Sequence, residues 1–317
     1  MTAKERYREL CLEEKSIPLF CRDWWMDAVC FDAWDVLLAE EKGEIMAALP
    51  YHLRKKLGFS CVLQPQLTQY NGIWLRKKQT ESDYERLSYE KKIFGRLIEQ
   101  LEKLNLSFYQ QCFHMSITNW LPFYWKGFRQ TTRYTYLISG IGNPEKVFAR
   151  FSPAKQRQIR KSEKRLHLSL DMKPNEFYSH HKQSLKERGE EISYSYELFL
   201  RIYKATQTHN AGQLFSIKDD AGNVHTALFT VWDQNSAYTL VYSISPQYAS
   251  SGASTLVIRE AIKFLTNKTR NFDFEGSMVE GIENSYRQFG TIQKPYFLIE
   301  KNYSRVFKLL FSLYKRD

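Results

Sequence analysis

Apolar runs separated by short polar turns recur in the same order twice along the chain. Residues 34–39 and 44–53 read as two strands, and the turn Glu40-Glu-Lys-Gly43 joins them. Residues 212–218 and 223–232 repeat the pattern around Asp219-Asp-Ala-Gly222. Each turn opens on an acidic pair and closes on a glycine able to supply positive φ, and Ala48-Leu49 and Ala227-Leu228 stand at matching places beyond it. After the first hairpin the pattern predicts a strand at 59–63, a long amphipathic helix over 84–104 and a strand at 106–113. After the second it predicts a strand at 237–244, a helix over 254–267 and a strand at 271–275. A helix precedes each hairpin, at 23–31 and at 195–207. Both halves therefore read α-β-β-β-α-β, and the expected fold is α/β with mixed sheets, two tandem copies of one unit. The expected boundary lies at 125–131, giving domains over 1–128 and 129–317.

Composition narrows the class. The chain has 317 residues, of which 43% are apolar and 15% aromatic, enough for packed cores, so wholesale disorder is excluded. No apolar run approaches the ~18–20 residues of a membrane-spanning helix, and the N-terminal stretch has no apolar signal core. Five cysteines without a C-x-x-C pair argue for reduced thiols, and a cytoplasmic location is expected. The 46 basic residues outnumber the 35 acidic ones, a formal net charge of +11, which favours anionic partners without choosing among them. Between Arg150 and Arg165 stand seven basic residues and one acidic. Ser152 suits the N-cap and Pro153 the first turn of a helix over 152–166, on which Arg157, Arg160, Lys161 and Lys164 share a face. That face serves either as a solvated surface or as a contact for an anion or RNA.

Several familiar sites are missing from the sequence: no phosphate loop ending in Gly-Lys-Ser/Thr, no G-x-S-x-G elbow, no H-E-x-x-H and no G-x-G-x-x-G. His180 and His181 are adjacent, which on a helix points them apart, and no metal is expected. The stretch 241–287 carries more. Small residues Ser250, Ser251, Gly252, Ala253 and Ser254 stand between a strand and a helix, where backbone N–H groups at the helix's positive end can approach a pyrophosphate. An ordinary N-cap has the same composition. Strand alternation puts Asp273 and Glu275 on one face, as candidate bases or as salt-bridge partners. Tyr286 lies in a short helix closed by Gly290, as a proton donor to a thiolate or as a core tyrosine.

This order of parts resembles the acyl-CoA-binding half of the GNAT N-acetyltransferase fold. Two such units joined through a basic segment are similar to the FemAB-like acyltransferases, and to bacterial acetyltransferases that carry a BioF2-like domain. The stretches that carry the likeness are 120–128, 133–136, 151–161, 272–277 and 287–290, and it spans about 18–299. The resemblance implies an N-acyltransferase that moves an acyl group, acetyl above all, from acetyl-CoA or another acyl-CoA to an amine. The acceptor would be a small molecule or a cell-envelope precursor. Tyr286, four residues before Gly290, occupies the place of the family's general acid. Of the family's phosphate loop only the central glycine, Gly252, is kept. In the Fem enzymes proper the donor is an aminoacyl-tRNA, which the basic face of 157–164 would suit. A non-catalytic binding protein on the same fold is the third reading. The first domain is expected to be structural or acceptor-side, and the second to hold the donor site.

Overall fold

The computed structural model describes residues 1–56 and 58–314. Its elements begin with α1 (Ala3–Glu13), α2 (Asp23–Cys30), β1 (Trp34–Glu41), β2 (Glu44–Lys56), β3 (Phe59–Val62) and β4 (Trp74–Leu75). They continue through α3 (Asp83–Glu102), β5 (Phe108–Phe113), α4 (Leu121–Tyr124), β6 (Arg129–Ser139), α5 (Pro144–Ala149), α6 (Pro153–Ser162) and β7 (Leu166–Ser169). Then come α7 (Pro174–Lys186), α8 (Tyr196–Thr208), β8 (Gly212–Asp219), β9 (Val224–Trp232) and β10 (Ser236–Ile244). The chain closes with α9 (Ala253–Leu265), β11 (Asn271–Asp273), α10 (Glu280–Arg287), β12 (Ile292–Asn302) and α11 (Arg305–Tyr314).

Contacts divide the chain into two units. One comprises Met1–Arg133 and the stretch from Pro295, the other Tyr134–Lys294. In the first, β1 and β2 pair antiparallel, as do β2 and β3, while β3 and β5 run parallel and β5 pairs antiparallel with β12. Apolar residues at three- and four-residue spacing on α3 (Ile93, Phe94, Leu97, Ile98, Leu101) pack on Leu37, Leu49, Tyr109 and Ile299. In the second unit β11 pairs antiparallel with β6 and parallel with β10, and β10, β9, β8 and β7 follow as an antiparallel series. Here α9 supplies the helical side of the core, setting Leu256, Val257, Ala261, Ile262 and Leu265 against Phe215, Leu228 and Phe272.

The two hairpins form where the apolar runs and acidic-to-glycine turns put them, but their turns differ. Lys42 (φ 51°) and Gly43 (φ 86°) close β1 and β2 as a tight turn with both central residues left-handed. Between β8 and β9 only Gly222 is left-handed (φ 84°), and Asp219 ties the longer loop by accepting from the backbone N–H and side-chain amide of Asn223, both at 2.9 Å. The basic helix is shorter than expected. It is capped as read, with Ser152 Oγ accepting from the N–H of Lys155 at 3.3 Å, but it ends at Ser162, so Lys164 lies in the turn ahead of β7. All five cysteines are buried, and none forms a disulfide among the described residues. Among the described residues no helix is long and apolar enough to cross a membrane.

Candidate functional site

Strands β10 and β11 pair only at Ser236–Asn271, Ala237–Phe272 and Tyr238–Asp273. Beyond Tyr238, β10 takes an irregular step in its register with β9 and runs on to Ile244, while β11 ends. Their pairing ends there, and the segments after each strand carry the candidate chemistry: the turn 250–254 into α9, and residues 273–276 leading to α10.

After Asp273 the chain leaves the strand, so Glu275 does not sit on an alternating face as the sequence suggested. Its φ is 58° and that of Gly276 is 71°. The N–H of Glu275 donates to Asp273 Oδ1 at 2.8 Å, and the Thr135 hydroxyl donates to the same oxygen. A side chain at 276 is excluded, because a Cβ there would lie 1.9 Å from the carbonyl oxygen of Tyr134. This turn keeps Glu275 beside Asp273. Burial first, and then the Asp273 carboxylate, raise the Glu275 carboxyl to about 8. Tyr286 packs its ring on Phe274 at 4.8 Å and faces Tyr136 at 6.2 Å. Burial, followed by the charges of Glu275 and Asp273, pushes its phenol up to about 12. Asp273, Glu275 and Tyr286 are thus brought together.

In the segment after β10, Gly252 adopts φ 83° and starts α9. Its conformation and the close packing of α6 account for the glycine, since a Cβ would stand 3.1 Å from the Gln158 carbonyl oxygen and 3.3 Å from Ser162. Ser250 is exposed, Ser251 and Ser254 are half-buried, and Gly252 and Ala253 are buried. The Tyr242 hydroxyl donates to the Ser254 carbonyl, and the Ser251 hydroxyl accepts from the N–H of Ala253 at 3.3 Å. Among the described residues the N–H groups of Gly252 and Ser254 meet no acceptor.

On the outer side of α6, Arg157, Arg160, Lys161, Lys164 and Arg165 are all exposed and line one hollow of about 500 Å³. No ion pair engages any of the five among the described residues. Among the same residues no three His, Cys, Asp or Glu side chains gather as metal ligands.

Lys155 escaped the sequence reading. It is only 8% exposed, donates to Ser285 Oγ at 3.0 Å and Thr255 Oγ1 at 3.5 Å, and lies 4.4 Å from the centre of the Phe289 ring. Thr255 in turn donates to Gln158 Oε1 at 2.6 Å. The ammonium therefore ties α6, the first turn of α9 and the helix of Tyr286 together. A helical wheel carries the signal: Lys155, Ile159 and Ser162, at i, i+4 and i+7, form the buried face that the surrounding charge obscured. Burial lowers this amine to about 8. The unfolded chain then binds more protons than the folded one between about 8 and the ordinary 10.5, so stability rises with pH across that window. Lys155→Met should remove that rise, as read from urea midpoints below and above the window; an unchanged slope would place the lowered amine elsewhere.

No protein-family model matches the chain, and no curated protein matches it in sequence. In fold it is similar to FemX, with a TM-score of 0.69 at 12% identity over 94% of this chain and 96% of that one. It is also similar to L-PGS from Bacillus licheniformis (TM-score 0.57, 12% identity, 98% and 96% covered). A third likeness is to a tandem GNAT protein from the clavulanic acid biosynthesis pathway (TM-score 0.51, 9% identity, 90% and 96% covered). The chain thus has the fold of FemX and of tandem GNAT proteins, with mixed α/β sheets.

Proposed function

We propose that the chain is an N-acyltransferase whose chemistry takes place where the pairing of β10 and β11 ends. The observation that carries this reading is the Glu275 carboxyl, raised to about 8 and set beside Tyr286 and Asp273. Such a carboxylate is a base of the strength an ammonium acceptor needs near neutral pH. Above its titration Glu275 takes the proton from the acceptor amine. The amine nitrogen then bonds to the acyl carbon of a thioester, and the C–S bond breaks. Backbone N–H groups near Ile244 are suited to polarise the carbonyl. Tyr286 was expected to protonate the leaving thiolate, but a phenol near 12 is far above a thiol's ordinary ~8.5. It acts instead as a hydrogen-bond donor to the departing sulfur, which leaves as the thiolate. The proton taken by Glu275 passes to solvent, as does the second proton that the nitrogen sheds when the amide forms.

In this reading acetyl-CoA or another acyl-CoA is the donor, its pyrophosphate at Ser250–Ser254 on the two uncommitted N–H groups. The acceptor is a small-molecule amine or a cell-envelope precursor. Calorimetry with coenzyme A should give saturable binding. Ser250→Glu with Ser251→Glu places charge against the phosphates without disturbing Gly252, and should weaken binding at least roughly tenfold. No binding at millimolar coenzyme A would reject this donor.

One feature favours a second donor, an aminoacyl-tRNA. The five unpaired cations over α6 suit a phosphodiester backbone better than a single pyrophosphate. Binding of tRNA that weakens steeply with salt, and that Arg157→Gln with Arg160→Gln flattens, would select it.

A further inference from the structure

In the unit formed by Met1–Arg133 and the stretch from Pro295, Phe307 anchors α11 while other described residues of the helix face outward. Phe307 is buried, stacking on Phe108 with ring centres 5.5 Å apart and meeting Phe59 edge-on at the same distance. Val306, Leu309 and Leu310, spaced i, i+3 and i+4, share the exposed side, with Val306 60% and Leu309 64% accessible. Arg305 and Lys308 flank that side. They line a hollow of about 310 Å³ with Arg129, Lys301 and Ser304. Lys301 also bonds Glu102 at 2.9 Å and the Lys126 carbonyl at 2.8 Å, but no ion pair engages Arg129, Arg305 or Lys308 among the described residues. Gly127 lines the hollow as well. Just before Gly127, the turn of α4 exposes Leu121, Tyr124 and Trp125, the last 56% accessible.

We propose that this unit docks on an anionic membrane surface, lipid phosphate entering the basic hollow while Val306, Leu309, Leu310, Tyr124 and Trp125 enter the boundary of the acyl chains. The inference does not rest on the proposed chemistry. Unpaired cations favour an anionic partner, and the exposed aliphatic and aromatic side chains of the same unit favour one with an apolar layer beneath its charge. A bilayer interface offers both, and tryptophan and tyrosine favour that depth. A nucleic acid backbone would leave the aliphatic side chains without a counterpart.

Co-sedimentation of the full chain with vesicles tests this. Phosphatidylglycerol vesicles should bind it in a salt-sensitive way and phosphatidylcholine vesicles should not. Arg305→Gln with Lys308→Gln should lower partitioning roughly thirtyfold, each basic residue near an anionic surface being worth roughly fivefold. Brominated acyl chains should quench tryptophan fluorescence, less so in Trp125→Phe. These side chains are exposed, so thermal unfolding should be unchanged in the variants. Binding would be non-specific, and the proposal overturned, if Arg157→Gln with Arg160→Gln and Lys161→Gln removed as much as the Arg305 and Lys308 pair. Self-association without lipid that Val306→Ser with Leu309→Ser abolishes would assign the face to a second copy of the chain, and would equally overturn it.

Discussion

Glu275→Gln is expected to lower turnover by roughly 10²–10⁴, the usual contribution of a placed general base. The amide preserves shape and half the hydrogen-bonding capacity, so lost activity reports lost basicity. In the parent protein the rate should rise with pH through about 8, where burial and the neighbouring Asp273 set the carboxyl's titration. The same shift has a consequence that needs no substrate. Unfolded, the carboxyl titrates at its ordinary 4.5, whereas folded it holds its proton to about 8. Between those values the folded state binds the extra proton, so stability falls as pH rises across that window. Urea midpoints below, within and above the window should show the fall in the parent and a flatter course in Glu275→Gln. A variant that turns over normally would remove Glu275 from the chemistry. A variant that keeps the parent's slope would assign the raised carboxyl to another residue. Tyr286→Phe should cost less, roughly 10²–10³, because one hydrogen-bond donor is lost rather than a proton acceptor.

Much of the fold was legible because it depends on period. The two hairpins follow from apolar runs around glycine-closed turns, α3, α8 and α9 from three-four spacing, and Ser82, Ser152 and Ser195 cap their helices as such residues do. The return of the chain from Pro295 to the first unit was not legible, since local pattern says nothing about which sheet edge a late strand joins. Within the candidate site, the sequence suggested that Asp273, Glu275 and Tyr286 belong together, but it derived the pairing of the carboxylates from strand alternation. The structure achieves it by a left-handed turn, which no periodicity announces. Lys155 was hidden for the opposite reason. A helix with exposed Arg157, Arg160 and Lys161 looks solvated throughout, and only the register of Lys155 with Ile159 and Ser162 separates the one cation that faces inward. Gly252, read as room for a phosphate, is needed by its own φ and by the approach of α6, so the glycine by itself says nothing about a donor.

Gly276→Ala should be among the most destabilising single changes in the unit that holds the site. Two costs combine there. A Cβ at 276 would stand 1.9 Å from the Tyr134 carbonyl oxygen and 2.8 Å from the Thr135 Cα, both backbone atoms of β6 that cannot swing aside. An L-residue must also adopt the left-handed φ of 71°. Overpacking of about 1–3 kcal/mol and a left-handed penalty of about 1–2 kcal/mol give a loss of roughly 2–5 kcal/mol. Gly222→Ala separates the terms, because φ there is 84° but nothing lies within 4 Å of the added carbon, so only the smaller cost applies. Urea unfolding should rank the two accordingly; equal losses would mean that the approach of residue 276 to β6 carries no strain. The variant also bears on chemistry. Relief of the clash moves β6 away from the end of β11, which pulls the Thr135 hydroxyl from Asp273 and frees Glu275 from the turn that holds it beside that carboxylate. Assayed well below its unfolding midpoint, Gly276→Ala should therefore lose activity beyond its loss of folded protein, and its rate should titrate nearer the ordinary carboxylate range than the parent's.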